Sequence, residues 1–118
     1  MSYGHDEELA FTPLWQLRDW IGNRTLSPVE LVRVYLERIQ AINPAINAFL
    51  TIPAEEALES ARLCEQAVME GQDLGPLHGI PIPIKDLIQT RGMRTTRGSL
   101  IFRDYIPKTD DPLVHRIR

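Results

Sequence analysis

Gly75-Pro76-Leu77-His78-Gly79-Ile80-Pro81-Ile82-Pro83-Ile84-Lys85-Asp86 is the stretch whose reading decides the fold. Ile80, Ile82 and Ile84 alternate with Pro81, Pro83 and Lys85, the period of two expected of a half-buried strand. Proline has no N–H to give a ladder, so each proline must sit at a sheet edge, a bulge or a gap in pairing. The strand so predicted has an isoleucine face and ends in a lysine. An amine held on such a stiff backbone can be partly desolvated against a substrate, which is the setting a lysine base needs.

Upstream, Ile46, Ala48, Leu50 and Ile52 alternate with Asn47, Phe49 and Thr51, which predicts another strand. Between the two, Pro53 opens a helix in which Ala54, Ala57, Leu58, Ala61, Cys64 and Val68 recur at helical spacing, and Gly71 closes it. Strand, helix and strand form a βαβ unit, expected as a right-handed crossover with parallel strands. Earlier still, Thr12-Pro13 predicts a helix start, with Leu14, Leu17, Arg18 and Ile21 on one face and Gly22-Asn23 at its end. Ser27-Pro28-Val29-Glu30 is a capping box, followed by an apolar stripe of Val32, Tyr35, Leu36 and Ile39, and Asn43-Pro44 is the expected stop. Downstream, residues 91–99 have loop chemistry, Leu100-Ile101-Phe102 is a short apolar patch, and Asp111-Pro112-Leu113-Val114 begins a last helix.

These readings give an α/β chain with a loose leader at 1–11, a helical hairpin at 12–43, strand-helix-strand at 46–88, and a loop with a truncated helix at 89–118. Two strands make a thin sheet with exposed edges, so the chain is expected to be the front part of a larger domain.

Composition narrows the function. The 118 residues are 43% hydrophobic and carry a net charge of −3 with both signs interspersed, which excludes a general nucleic-acid or anionic-membrane binder. The single cysteine, Cys64, permits no intrachain disulfide and fits a reducing compartment. No apolar run reaches membrane-spanning length and the first ten residues lack a signal-peptide pattern, so a cytoplasmic location is expected.

Lys85 is the main candidate for chemistry, although spacing alone equally allows a lysine that ends a strand in solvent beside Asp86. Ser–Lys pairs use a lysine to activate a serine for acyl transfer. The serines here are Ser2, Ser27, Ser60 and Ser99, and only Ser99 lies in a glycine-bearing loop. His5, His78 and His115 are too scattered for a metal site, and Cys64 lies on an apolar helix face. His78 is expected to shape the turn before the isoleucine strand. Arg91, Arg94, Arg97 and Arg103 form the one basic cluster, a solvated loop or an anion-contacting surface.

The motif Gly-Pro-Leu-His-Gly-Ile-Pro-Ile-Pro-Ile-Lys-Asp-Leu, with Thr95-Thr96-Arg97-Gly98-Ser99 after it, resembles the opening of the amidase signature family. Leu26-Ser27-Pro28-Val29-Glu30-Leu31, Arg38-Ile39, Asn43-Pro44-Ala45-Ile46-Asn47-Ala48-Phe49 and Asp111-Pro112-Leu113-Val114 fall in the family's order. The resemblance implies an N-terminal fragment of a mixed sheet flanked by helices, in a hydrolase of carboxylic amides. It also implies a serine nucleophile, a second serine on a cis peptide bond, and a lysine that maps onto Lys85. The lysine takes a proton through the bridging serine and returns one to the departing amine. The glycine- and serine-rich segment that supplies both serines is absent from residues 1–118, so this chain alone is expected to be inactive. No metal or organic cofactor is implied. The expected partner is a small-molecule amide, with no nucleic acid and no membrane, and a homo-oligomer is compatible with the sequence. Two alternatives stand beside this reading: the amide-releasing component of a glutamyl/aspartyl-tRNA amidotransferase, and a non-catalytic anion-binding module.

Overall fold

The structure is a computed structural model that describes residues 3–72 and 74–118, with residues 3–6 described by their backbone. Its elements are helices and loops: α1 (Tyr3–Phe11), α2 (Leu14–Gly22), α3 (Pro28–Ile46), α4 (Ala54–Met69), a 3-10 turn (Leu100–Phe102) and α5 (Pro112–Ile117). No strand occurs among the described residues, so the expected α/β class with a βαβ unit is overturned. Alternation fixes which way side chains point in any extended backbone, but a strand exists only where a neighbouring backbone closes the ladder. Here Pro81 and Pro83 have nothing to donate, and the Ile80 N–H is spent in a turn on the Leu77 carbonyl at 3.1 Å. Ile46 is taken up by α3, and the Leu50 carbonyl accepts from the Arg94 side chain.

The chain divides into two compact units, Met1–Asn47 with Ala54–Pro81, and Ala48–Pro53 with Ile82–Arg118. The first is a helical unit around a core of Leu9, Leu17, Ile21, Leu26, Leu31, Val34 and Val68, with Trp20, Tyr35, Leu74 and Ile80 packed against it. Each such aliphatic side chain removed from water contributes roughly 1.5–3 kcal/mol before entropy is charged.

Within this unit α1 replaces the expected loose leader. Its sequence has no apolar period, yet Leu9 is 1% exposed and joins the core. Thr12 closes α1, its hydroxyl donating to the Glu8 carbonyl at 2.8 Å, so Pro13 and not Thr12 stands at the N-cap of α2. Ser27 caps α3 as the sequence requires, accepting from the N–H groups of Val29 at 3.0 Å and Glu30 at 3.3 Å. The Ser27 hydroxyl then donates to Glu65 of α4 at 2.5 Å, which joins the two helices. Asn43-Pro44 does not stop α3. The helix runs through Pro44 to Ile46 and ends where Asn47 turns left-handed, at φ 49°.

Gly79 is the position where glycine is required. Its φ is +75°, and an added Cβ would lie 3.0 Å from Pro28 Cγ and 3.4 Å from Ile21 Cδ1. The turn before it is fixed by His78, whose N–H donates to the Gly75 carbonyl at 3.2 Å. His78 Nε2 lies 2.8 Å from the Cys64 carbonyl. A carbonyl can only accept, so Nε2 carries the proton, and the ring ties the turn to α4. Among the described residues no helix is long and apolar enough to cross a membrane.

Candidate active site

Lys85 belongs to the second unit, whose buried residues are Thr90, Thr95, Thr96, Pro107 and Val114. Three threonines cannot supply much apolar driving force, so this unit is held by polar ties. Arg94 donates to the Leu50 carbonyl at 2.9 Å and the Arg103 carbonyl at 3.3 Å, and Thr51 donates to the Arg94 carbonyl at 3.2 Å. The Gly92 N–H meets the Pro107 carbonyl at 3.0 Å and the Thr95 N–H meets the Tyr105 carbonyl at 2.9 Å. Asp110 accepts from the Arg91 N–H at 2.7 Å and from Arg118 at 3.1 Å, while Asp111 caps α5 through the Leu113 N–H at 2.9 Å.

The extended residues before Lys85 end in a turn, in which the Ile88 N–H donates to the Lys85 carbonyl at 2.9 Å. The Lys85 side chain is exposed and makes no hydrogen bond or ion pair among the described residues. Asp86 points elsewhere. Its carboxylate accepts from the Thr96 N–H at 2.8 Å, from the Thr96 hydroxyl, and from the Gly98 N–H at 3.4 Å. Its carbonyl accepts from the Arg97 N–H at 3.0 Å. Partial burial, the largest single influence, pushes the Asp86 carboxyl up. The hydrogen bonds from the Thr96 hydroxyl, the Thr96 N–H and the Gly98 N–H, with the charge of Arg94, outweigh it and hold the group below its ordinary 3.8.

Ser99 is occupied as a cap, its oxygen accepting from the Ile101 N–H at 3.2 Å, and it is not in position as a free nucleophile. Ser60 is exposed on α4, Ser27 caps α3, and Ser2 lies outside the described residues. The four arginines are committed to different tasks: Arg94 clamps carbonyls, and Arg97 lies 4.8 Å over Phe102 and 5.8 Å from the Tyr105 ring centre. Arg103 pairs with Asp104 at 3.3 Å, and Arg91 uses its backbone. Arg94, Arg103, Ser99, Leu50 and Leu100 border a shallow cavity of about 200 Å³, and Lys85 is not among its lining residues. A larger hollow of about 440 Å³ in the first unit is lined by Arg18, Asp19, Asn23, Leu74 and His78. Sequence reasoning left Asp86 without a partner and missed Thr96 and Gly98. The one available signal was a hydroxyl and a glycine ten and twelve residues beyond an aspartate.

A lysine following an Ile-Pro-Ile-Pro-Ile run, with its neighbouring aspartate fastened to a Thr-Arg-Gly loop, fits an amide-bond hydrolase. The family model described as Amidase matches residues 30–118, and the chain belongs to that family. It is 43% identical over 103 residues to the GatA-type component of glutamyl-tRNA(Gln) amidotransferase from Acidothermus cellulolyticus, covering 87% of this chain and 20% of that protein. It is 37% identical over 111 residues to the corresponding protein of Geobacter metallireducens, covering 94% of this chain and 23% of that protein. Among solved structures, one is described as a vestigial protein complex that reveals the evolutionary origins of an s-triazine catabolic enzyme. It superposes with a TM-score of 0.85 at 28% identity, over 90% of this chain and 23% of that one. The chain thus spans about a fifth of the length of the curated relatives it matches.

Proposed function

We propose that the chain is the N-terminal part of a single amidase domain and contributes Lys85 to cleavage of a carboxylic amide C–N bond. Lys85 is the proton-accepting member of a serine–serine–lysine relay. Its neutral amine draws the proton from the nucleophilic serine through the bridging serine, and returns it to the departing amine. Residues 1–118 contain neither of those serines, so the chain alone turns over no amide. The observation that carries this reading is the lysine itself. Its backbone is fixed by the turn to Ile88 and by the ties of Asp86, while its amine remains unpaired among the described residues.

The test joins the full chain ahead of the four-fifths of the Acidothermus cellulolyticus protein that it does not match. Hydrolysis of a simple carboxamide or of glutamine is then measured. Lys85→Ala is expected to lower kcat by about 10²- to 10⁴-fold, the usual contribution of a positioned acid–base group. A folded fusion with kcat unaffected by Lys85→Ala overturns the reading, and so does a folded fusion that hydrolyses neither amide.

The relatives' shared name favours a second reading, in which the domain frees ammonia from glutamine as one component of an amidotransferase. A strong preference for glutamine over simple amides in the same assay selects it.

A further inference from the structure

We propose that Asp86 is a positioning residue for Lys85, acting by clasping the 96–98 loop and not by pairing with the amine; the proposal rests on the reading of Lys85 as a base. Three donors converge on the Asp86 carboxylate, two from Thr96 and one from Gly98, and all three belong to one short loop. A fourth tie runs from the Arg97 N–H to the Asp86 carbonyl at 3.0 Å, so side chain and backbone of the same residue are held by the same loop. The loop is shaped to deliver those donors. Arg97 and Gly98 both have positive φ, 54° and 68°, which turns successive N–H groups toward one acceptor. Thr96 is buried, and its hydroxyl also accepts from the Gly98 N–H at 3.2 Å, so the loop is braced internally.

Lys85 has no such anchor on its side chain, which is exposed and unpaired among the described residues. Its position is therefore set by its backbone, and that backbone is fixed on its C-terminal side by Asp86 and by the turn to Ile88. Asp86 makes no ion pair with Lys85 among the described residues, which separates positioning from charge compensation. A displaced base costs rate without altering how substrate is bound.

The experiment uses two readouts. In the fusion described above, Asp86→Asn and Thr96→Val are each expected to lower kcat about 10- to 100-fold, the size expected of misplacement near 1 Å. KM is expected to change by less than about twofold, and the pH midpoint of kcat/KM to stay in place. Thr96→Ser, which keeps the hydroxyl, is expected to restore most of the rate. In the 118-residue chain, the amide order parameter at Lys85 is expected to fall from about 0.85 toward 0.6 in Asp86→Asn. Unchanged kcat or an unchanged Lys85 order parameter overturns the clasp. A shift in the pH midpoint also overturns it, because it would make Asp86 a counter-ion. Failure of the base assignment is read separately: Lys85→Ala then leaves kcat unchanged whatever Asp86→Asn does.

Discussion

The two units solve the problem of holding a chain together in opposite ways. The helical unit buries leucine, isoleucine and valine from four helices and their connections, and its hydrogen bonds lie mostly inside the helices. The unit containing Lys85 buries three threonines, a proline and a valine, and relies on side chains that reach backbone groups across the loops. Charge follows the same division. Residues of the helical unit include five arginines and twelve acidic side chains, whereas the other carries Lys85, Lys108 and six arginines against four aspartates. In the second unit arginine serves as a donor and a ring-stacking group, so its excess is part of how the loops are held. Apolar packing tolerates small displacements. A polar tie with a few tenths of an ångström of freedom does not, which suits a segment that must present one amine accurately.

The largest expected effect tests the apolar half of that contrast. Leu31 is 0% exposed, so Leu31→Ala removes buried methylenes and leaves a cavity in the helical unit. A loss of about 2–5 kcal/mol is expected. Urea titration followed by far-ultraviolet circular dichroism checks it, and a loss below about 1 kcal/mol would mean that the unit is not packed as described.

Gly79→Ala comes next. A left-handed φ at a non-glycine residue costs about 1–3 kcal/mol, and here the added methyl also meets Pro28 at 3.0 Å. The same titration should show a smaller shift in midpoint than for Leu31→Ala. Equal stability to the parent would show that the turn can leave α3 at no cost.

How much of this was legible in the sequence differs between the units for the same physical reason. The Ser27 cap, the Leu17 and Ile21 face and the close of α4 at Gly71 depend on neighbours within a few residues, and all three were readable. Leu9 was not, because one buried leucine on a helix without an apolar period is chosen by tertiary packing. Pro44 was read as a stop because the sequence does not reveal that the helix can reach Asn47 before ending. Ile80, Ile82 and Ile84 alternate as a strand does, but period two reports only extension, and pairing depends on a partner backbone. The Asp86 clasp joins residues ten and twelve apart through loop geometry, for which sequence has no periodic signature. Family membership was legible because ordered short motifs survive where contacts do not show.

The smallest expected effect is confined to the polar unit and follows from the Asp86 carboxyl. Its folded value is depressed below 3.8, so the stability it contributes is fully present above the unfolded value and is lost as pH falls through the lower folded value. Between neutral pH and about 4 the clasp should therefore be intact, and it should open only in stronger acid. Amide proton shifts of Thr96 and Gly98 are expected to move together, with one midpoint below 3.8, because both N–H groups donate to the same carboxylate. The amides of Leu31 and Val34, inside α3, should stay still over that step because no titrating group of the clasp is bonded to them. A midpoint at or above 3.8 would mean that burial outweighs the hydrogen bonds at Asp86, and the polar unit would then lack the acceptor on which its tightest loop depends.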